Sequence, residues 1–148
     1  MIRHIWTVIC SESITDQESN NISLFNILER ITLSLSEEPS ALPEGIILPI
    51  SFEVVSYWAR ENKDRPTRGH ARILLVLPSR EVGPQFSHDL DLVQYERVRT
   101  RTRVNGLSIR GAGLYDFRVQ LQVDGEQEWQ EVASVPLEIL LEPMGSTS

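Results

Sequence analysis

Apolar and polar residues alternate along much of this chain, and a period of two marks extended strands half-buried in a sheet. The clearest run is GLYDFRVQLQVDG. Tyr115, Phe117, Val119, Leu121 and Val123 fall on one face, and Asp116, Arg118, Gln120 and Gln122 on the other. An Asp124-Gly125 turn ends it. ARILLVLP is almost continuously apolar until Pro78, which suits a central strand covered on both faces. In ILPISFEVVSYW the residues Leu48, Ile50, Phe52, Val54 and Trp58 share a side. ISLFNILERITLSL fits either period, because Leu24, Ile27, Leu28 and Ile31 also suit a helix. Its β-branched content and its Asn/Ser-rich approach favour a strand, or a strand with a bulge. VASVPLEILLE reads as a final strand, with Pro136 marking an edge or a kink.

Between these runs lie polar segments rich in turn formers: SEEPSALPEG, RENKDRPTRG, SREVGPQ and DGEQE. None is long enough to link domains, and no segment repeats. The pattern predicts an all-β fold with little helix: an antiparallel, immunoglobulin-like β-sandwich of seven to nine strands. A small barrel is the alternative. Residues 1–142 form one domain in this reading, followed by a flexible tail over 143–148. The 148 residues suffice to bury a core without disulfide staples.

Gly113, Leu114, Tyr115 and Phe117 open the clearest strand as a sandwich corner does, where a Tyr hydroxyl ties back to an upstream backbone group. Together with VICSESITDQESNNISLFNILERI near the start, GAGLYDFRVQLQVDG resembles a family of small uncharacterised bacterial proteins, immunoglobulin-like or C2-like single sandwiches. The resemblance implies the sandwich and a bacterial origin. It brings no activity, cofactor or site residue, and the motifs behind it are turns and strand starts rather than chemistry.

One strand-like run stands apart. In ERVRTRTRVNG, Arg97, Arg99, Arg101 and Arg103 alternate with Val98, Thr100 and Thr102, and Val104 follows. On an extended chain the Val/Thr side faces the core and the guanidiniums face water. Successive arginines are then about 7 Å apart. At that distance the repulsion in water is only about 0.6 kcal/mol. Asp89 and Asp91 alternate with Leu90 and Leu92 just upstream, so a hairpin turning at Val93–Glu96 is predicted to set Asp91 against Arg97 and Asp89 against Arg99. That pairing would make a solvated, partly neutralised sheet face that also discourages edge aggregation. It leaves Arg101 and Arg103 as the candidate anion-binding pair, since guanidinium forks fit carboxylates and phosphates.

Charge sharpens this picture. The chain carries a net −7, so the basic character is confined to that row. An acidic protein without interleaved exposed aromatics is a poor match for nucleic acid. No apolar run reaches the length of a membrane-spanning helix, and the start lacks a signal-peptide pattern. The single cysteine, Cys10, excludes an internal disulfide and fits a reducing, cytoplasmic setting.

Candidate chemistry is sparse. His4, His70 and His88 are scattered, and with a single cysteine a Cys/His zinc site is not expected. The Asp89/Asp91 pair beside His88 suits ion pairing with arginine better than a metal. RGAGLY lacks a Lys-Ser/Thr follower and leads into a strand, so it is a turn and not a phosphate loop. There is no Gly-x-Ser-x-Gly elbow, and Cys10 in an apolar strand reads as an inert thiol. The expectation is a non-catalytic module without cofactor or metal. It binds a protein partner, or itself, through a sheet edge or through the face of Arg97, Arg99, Arg101 and Arg103. The alternative is an anion- or ligand-binding sandwich using the same face.

Overall fold

The computed structural model describes residues 1–35, 46–109 and 111–143. Among them are nine strands and no helix: β1 (Ile2–Thr15), β2 (Ile22–Ile27), β3 (Arg30–Leu35), β4 (Ile46–Arg60), β5 (Thr67–Val76), β6 (Val82–Leu92), β7 (Arg97–Ile109), β8 (Gly113–Val123) and β9 (Gln130–Pro143). They form two sheets in a sandwich-like arrangement, one of order β2-β1-β4-β7 and one of order β3-β9-β8-β5-β6. The loop expected over 36–45 and the tail beyond Pro143 lie outside the described residues.

The alternation read from the sequence becomes burial. Along β8, Tyr115, Phe117, Val119, Leu121 and Val123 are buried and the residues between them are half-buried. The strand ends in the Asp124-Gly125 turn, where Glu126 N–H donates to the Val123 carbonyl at 3.0 Å. Gly125 sits there at φ +91, a conformation glycine adopts without a Cβ penalty. β5 lies between β8 and β6, as its apolar run predicts. The core fills the space between the sheets. Phe52, Val54 and Trp58 come from one side, and Ile73, Leu75, Phe117, Val119, Leu137 and Ile139 from the other. Phe52 and Phe117 meet edge-to-face across the gap, with centroids 5.8 Å apart.

Two expectations need correction. The ambiguous segment is neither a helix nor one bulged strand. β2 belongs to the first sheet and β3 to the second, and the chain crosses between them at Leu28 and Glu29. Asn26 takes φ +53 just before the crossing, and Leu28 N–H bonds the Ile9 carbonyl and packs against the core. The second sheet is also not uniformly antiparallel. β3 runs parallel to β9, with Arg30 beside Glu138 and Ile31 beside Ile139. The crossing after β2 delivers β3 to the outer side of the last strand in that orientation. Pro136 then falls where β3 does not reach, because that pairing begins at Glu138. The missing N–H is therefore tolerated on an otherwise interior strand.

The Tyr115 hydroxyl donates to the Gly111 carbonyl at 2.7 Å, the tie-back expected at this corner. Gly111 is exposed, so water can replace the hydroxyl at its carbonyl. Tyr115→Phe is therefore expected to cost about 1 kcal/mol, or roughly 2–4 °C in Tm. Chemical denaturation checks this, and an unchanged midpoint would make the hydroxyl dispensable.

Among the described residues the buried side-chain polar atoms are paired, as burial demands, with the exception of Arg60 Nε. Trp58 Nε1–H donates to Thr100 Oγ1 at 3.1 Å. Thr7 Oγ1 lies 2.7 Å from His4 Nε2 and 2.8 Å from Ser56 Oγ. His88 Nε2 on β6 is 2.6 Å from Thr102 Oγ1 on β7, so this bond joins the two sheets. Burial holds both His4 and His88 below the usual imidazole range, although the Asp89 charge opposes this at His88.

Candidate functional site

The arginine run is extended, and it is β7, one of the two edge strands of the first sheet among the described residues. Thr100, Thr102 and Val104 are buried while Arg97, Arg101 and Arg103 are exposed. The alternation thus points the guanidiniums away from the core. Both inward threonine hydroxyls are satisfied, by Trp58 and His88.

The carboxylates opposite this row are not those expected. β6 and β7 do not form a hairpin, because they lie in different sheets. Residues 93–96 carry the chain across the sandwich: four extended residues reach about 13 Å, enough for the roughly 10 Å between packed sheets. Leu90 and Leu92 then enter the core from one side while Thr100 and Thr102 enter from the other. Asp91 pairs instead with Arg68, at 3.6 Å, and Asp89 with His70, at 2.9 Å. Asp116 lies 3.8 Å from Arg80 and Arg118 3.8 Å from Glu131, all on the second-sheet side of the molecule.

The partner of the arginine row is Glu53, on the neighbouring strand β4. Its Oε1 lies 3.0 Å from Arg103 Nη2 and 3.3 Å from Arg101 Nε. Ser13 Oγ donates to Oε2 at 2.6 Å. Arg101 and Arg103, expected to be free, are therefore both engaged. Glu53 is 1% exposed even though it points to the outer face of the sheet with the arginines. Val55 and Cys10, which share that face in the register, are also buried.

The β1–β2 hairpin explains this burial. β1 pairs with β4 only as far as Cys10, opposite Glu53. A straight continuation would run on beside Phe52, away from the start of β7. Instead Ser13 sits on Glu53, and Arg99 Nη2 donates to the Asn20 carbonyl at 2.8 Å. The hairpin therefore doubles back across the outer face as a third layer, and its tip rests near the head of β7. That tip is internally fixed. Asp16 Oδ1 accepts the N–H groups of Glu18 and Ser19, which hold its carboxyl below the usual range. Asn20 takes φ +62, a conformation asparagine tolerates.

Electrostatics follow from this packing. Burial pushes the Glu53 carboxyl up, but the Ser13 hydroxyl and N–H and the two guanidiniums outweigh it and leave Glu53 below its ordinary value. At Cys10, burial and then the Glu53 charge push the thiol up, so it stays protonated and inert.

Between the hairpin tip and the head of β7 lies a cleft of about 370 Å³. Tyr57, Tyr95, Glu96, Arg97, Arg99, Asn20 and Asn21 line it. Among the described residues Arg97 has no hydrogen-bond or ionic partner, whereas Arg99 is held by a neutral carbonyl. Glu53 thus serves Arg101 and Arg103 only, and the cleft end holds the guanidiniums of Arg97 and Arg99 with the Glu96 carboxylate beside them.

The cleft offers two cationic donors beside aromatic rings, with Arg99 held in place by the Asn20 carbonyl. Glu53, Ser13, Asn20, Tyr57 and Tyr95 were not among the candidates read from sequence. The available signal was SFEVVSYW, where Val55 and Tyr57 make the nominally outer side apolar too, as in a strand covered on both faces. Among the described residues no group of three or more His, Cys, Asp or Glu side chains is placed to hold a metal ion, and no helix is long and apolar enough to cross a membrane. Comparison with protein-family models and with curated proteins gives no match.

Proposed function

We propose that this protein is a non-catalytic interaction module, an immunoglobulin-like sandwich that captures a protein partner along the arginine-bearing strand β7. One observation carries the reading: the sheet edge and the arginine face, separate alternatives in the sequence, are the same strand. Over 13 residues β7 pairs only with β4, so among the described residues its other side keeps backbone donors and acceptors available. The Tyr115 corner supports the immunoglobulin-like assignment. A lone buried thiol is compatible with a reducing, cytoplasmic setting.

The second reading, an anion-binding sandwich, draws on the cleft at Arg97 and Arg99. Arg101 and Arg103 contribute less to it, since Glu53 already occupies both.

A photo-crosslinking side chain placed at exposed Asn105 on β7 is expected to capture a partner, and the same group at exposed Leu114 on β8 is not. Equal capture at both positions, or none at Asn105, overturns the proposal.

A further inference from the structure

We propose that the captured segment is an extended acidic peptide with carboxylates at every second position, added to β7 as a fifth strand, one carboxylate entering the cleft at Arg97 and Arg99. This rests on the reading of β7 as the binding edge and adds the chemistry of the partner. Strand addition draws affinity from backbone hydrogen bonds and specificity from alternate side chains. In an added strand, every second side chain projects to the outer face and stands about 5 Å from its counterpart on β7. Those counterparts are Arg97, Arg99, Arg101 and Arg103. The intervening side chains lie beside Val98, Thr100, Thr102 and Val104, so β-branched residues suit them.

Charge selects the class of partner. Glu53 pairs with Arg101 and Arg103, and among the described residues Arg97 and Arg99 make no ion pair, with Glu96 the one carboxylate lining their cleft. Alternating carboxylates complete this set. A second copy of the chain is a poor occupant, because antiparallel β7–β7 pairing sets guanidinium against guanidinium. Nucleic acid offers anionic oxygens but no backbone amides to pair with the edge.

The cleft adds a defined end point. At about 370 Å³ it is a small site. The Asn20 carbonyl holds Arg99 in place beforehand, which lowers the ordering cost of binding. Tyr57 and Tyr95 supply flanking apolar surface with polar tips.

The test is an NMR titration of the full chain, labelled at backbone nitrogen, with end-blocked peptides of about nine residues. One peptide alternates Glu with Val and Thr, a second carries Gln for Glu, and a third probe is a single-stranded oligothymidine. The Glu peptide is expected to shift β7 amides, and Arg97→Glu with Arg99→Glu to weaken it about tenfold or more. Arg97→Glu alone removes no hydrogen bond or ion pair among the described residues, so a weaker effect in the same direction separates binding from misfolding. If the Gln peptide binds β7 as tightly as the Glu peptide, the edge stands as a binding strand and the acidic class is overturned. If no peptide moves the β7 amides, both fall. Tighter binding of the oligonucleotide, with a log–log salt slope near −3 for about four phosphates, overturns the peptide in favour of nucleic acid.

Discussion

Replacing Arg101 and Arg103 together by glutamine is expected to destabilise the protein at neutral pH by about 3 kcal/mol, or roughly 6–12 °C in Tm. The asymmetry of burial is the reason. Glu53 is 1% exposed, while the Arg101 and Arg103 side chains are 47% and 59% exposed. Removing the arginines strands a carboxylate under the hairpin with Ser13 as its remaining donor. Removing the carboxylate merely releases two guanidiniums that can turn to water, so Glu53→Gln is expected to cost about 1–2 kcal/mol. The pH dependence separates the two variants. In the native chain the folded carboxyl lies below its ordinary value of 4.5, so its contribution is complete above that value. It is lost as pH falls through the folded value. In the double variant burial dominates and raises the folded value above the ordinary one. Acidification from neutral then restores stability instead of removing it. Denaturant titrations across the neutral-to-acid range measure both slopes. Equal stability of the double variant and the native chain, or the same sign of slope in both, would refute this account of the triad.

Trp58→Ala is expected to cost about 3–5 kcal/mol, the largest single-residue loss anticipated. The indole is fully buried near the C-terminal end of β4. It meets the His4 ring edge-on, with centroids 5.0 Å apart, and donates to Thr100. Truncation therefore leaves a cavity and an unsatisfied threonine hydroxyl together. Trp58→Phe keeps most of the volume and loses the N–H, so it should fall well short of the alanine loss. Trp58 lies opposite Val98 in the register, just beneath the cleft residues. Hydrogen exchange at Val98 and Thr100 should accelerate in the alanine variant more than at Phe117, across the core. Uniform acceleration would instead indicate global loosening.

The strands themselves were legible wherever one face is buried and the other wet. β8, β5 and the arginine strand β7 carry that record in their side chains, and Tyr115 even announced its hydrogen bond. The pairing of strands was not legible. Asp89 and Asp91 alternate as convincingly as Glu53 does, and a link over 93–96 reads the same whether it turns within a sheet or crosses between sheets. Burial of Leu90 and Leu92 decides the matter, and burial depends on what lies opposite. The third layer was equally silent. A hairpin of Ser, Asn and Ile residues does not reveal that it will fold over its own sheet, so the seat of Glu53 could not be inferred. The crossing at Leu28 and Glu29 was obscured because both strands supply apolar residues at spacings that also fit a helix.

The parallel alignment of β3 with β9 has a consequence for biosynthesis. Arg30 and Glu138, joined there by an ion pair, are 108 positions apart. A chain emerging from the ribosome presents β3 early, yet the strand that shelters it is translated much later. Until then Ile31 and Leu33 have no lateral neighbour in their sheet. Such long-range closure slows folding and leaves apolar strands open to misassociation. The final strand acts as the clasp of the second sheet, and chaperones that shield nascent β-rich chains would act in the interval before it arrives.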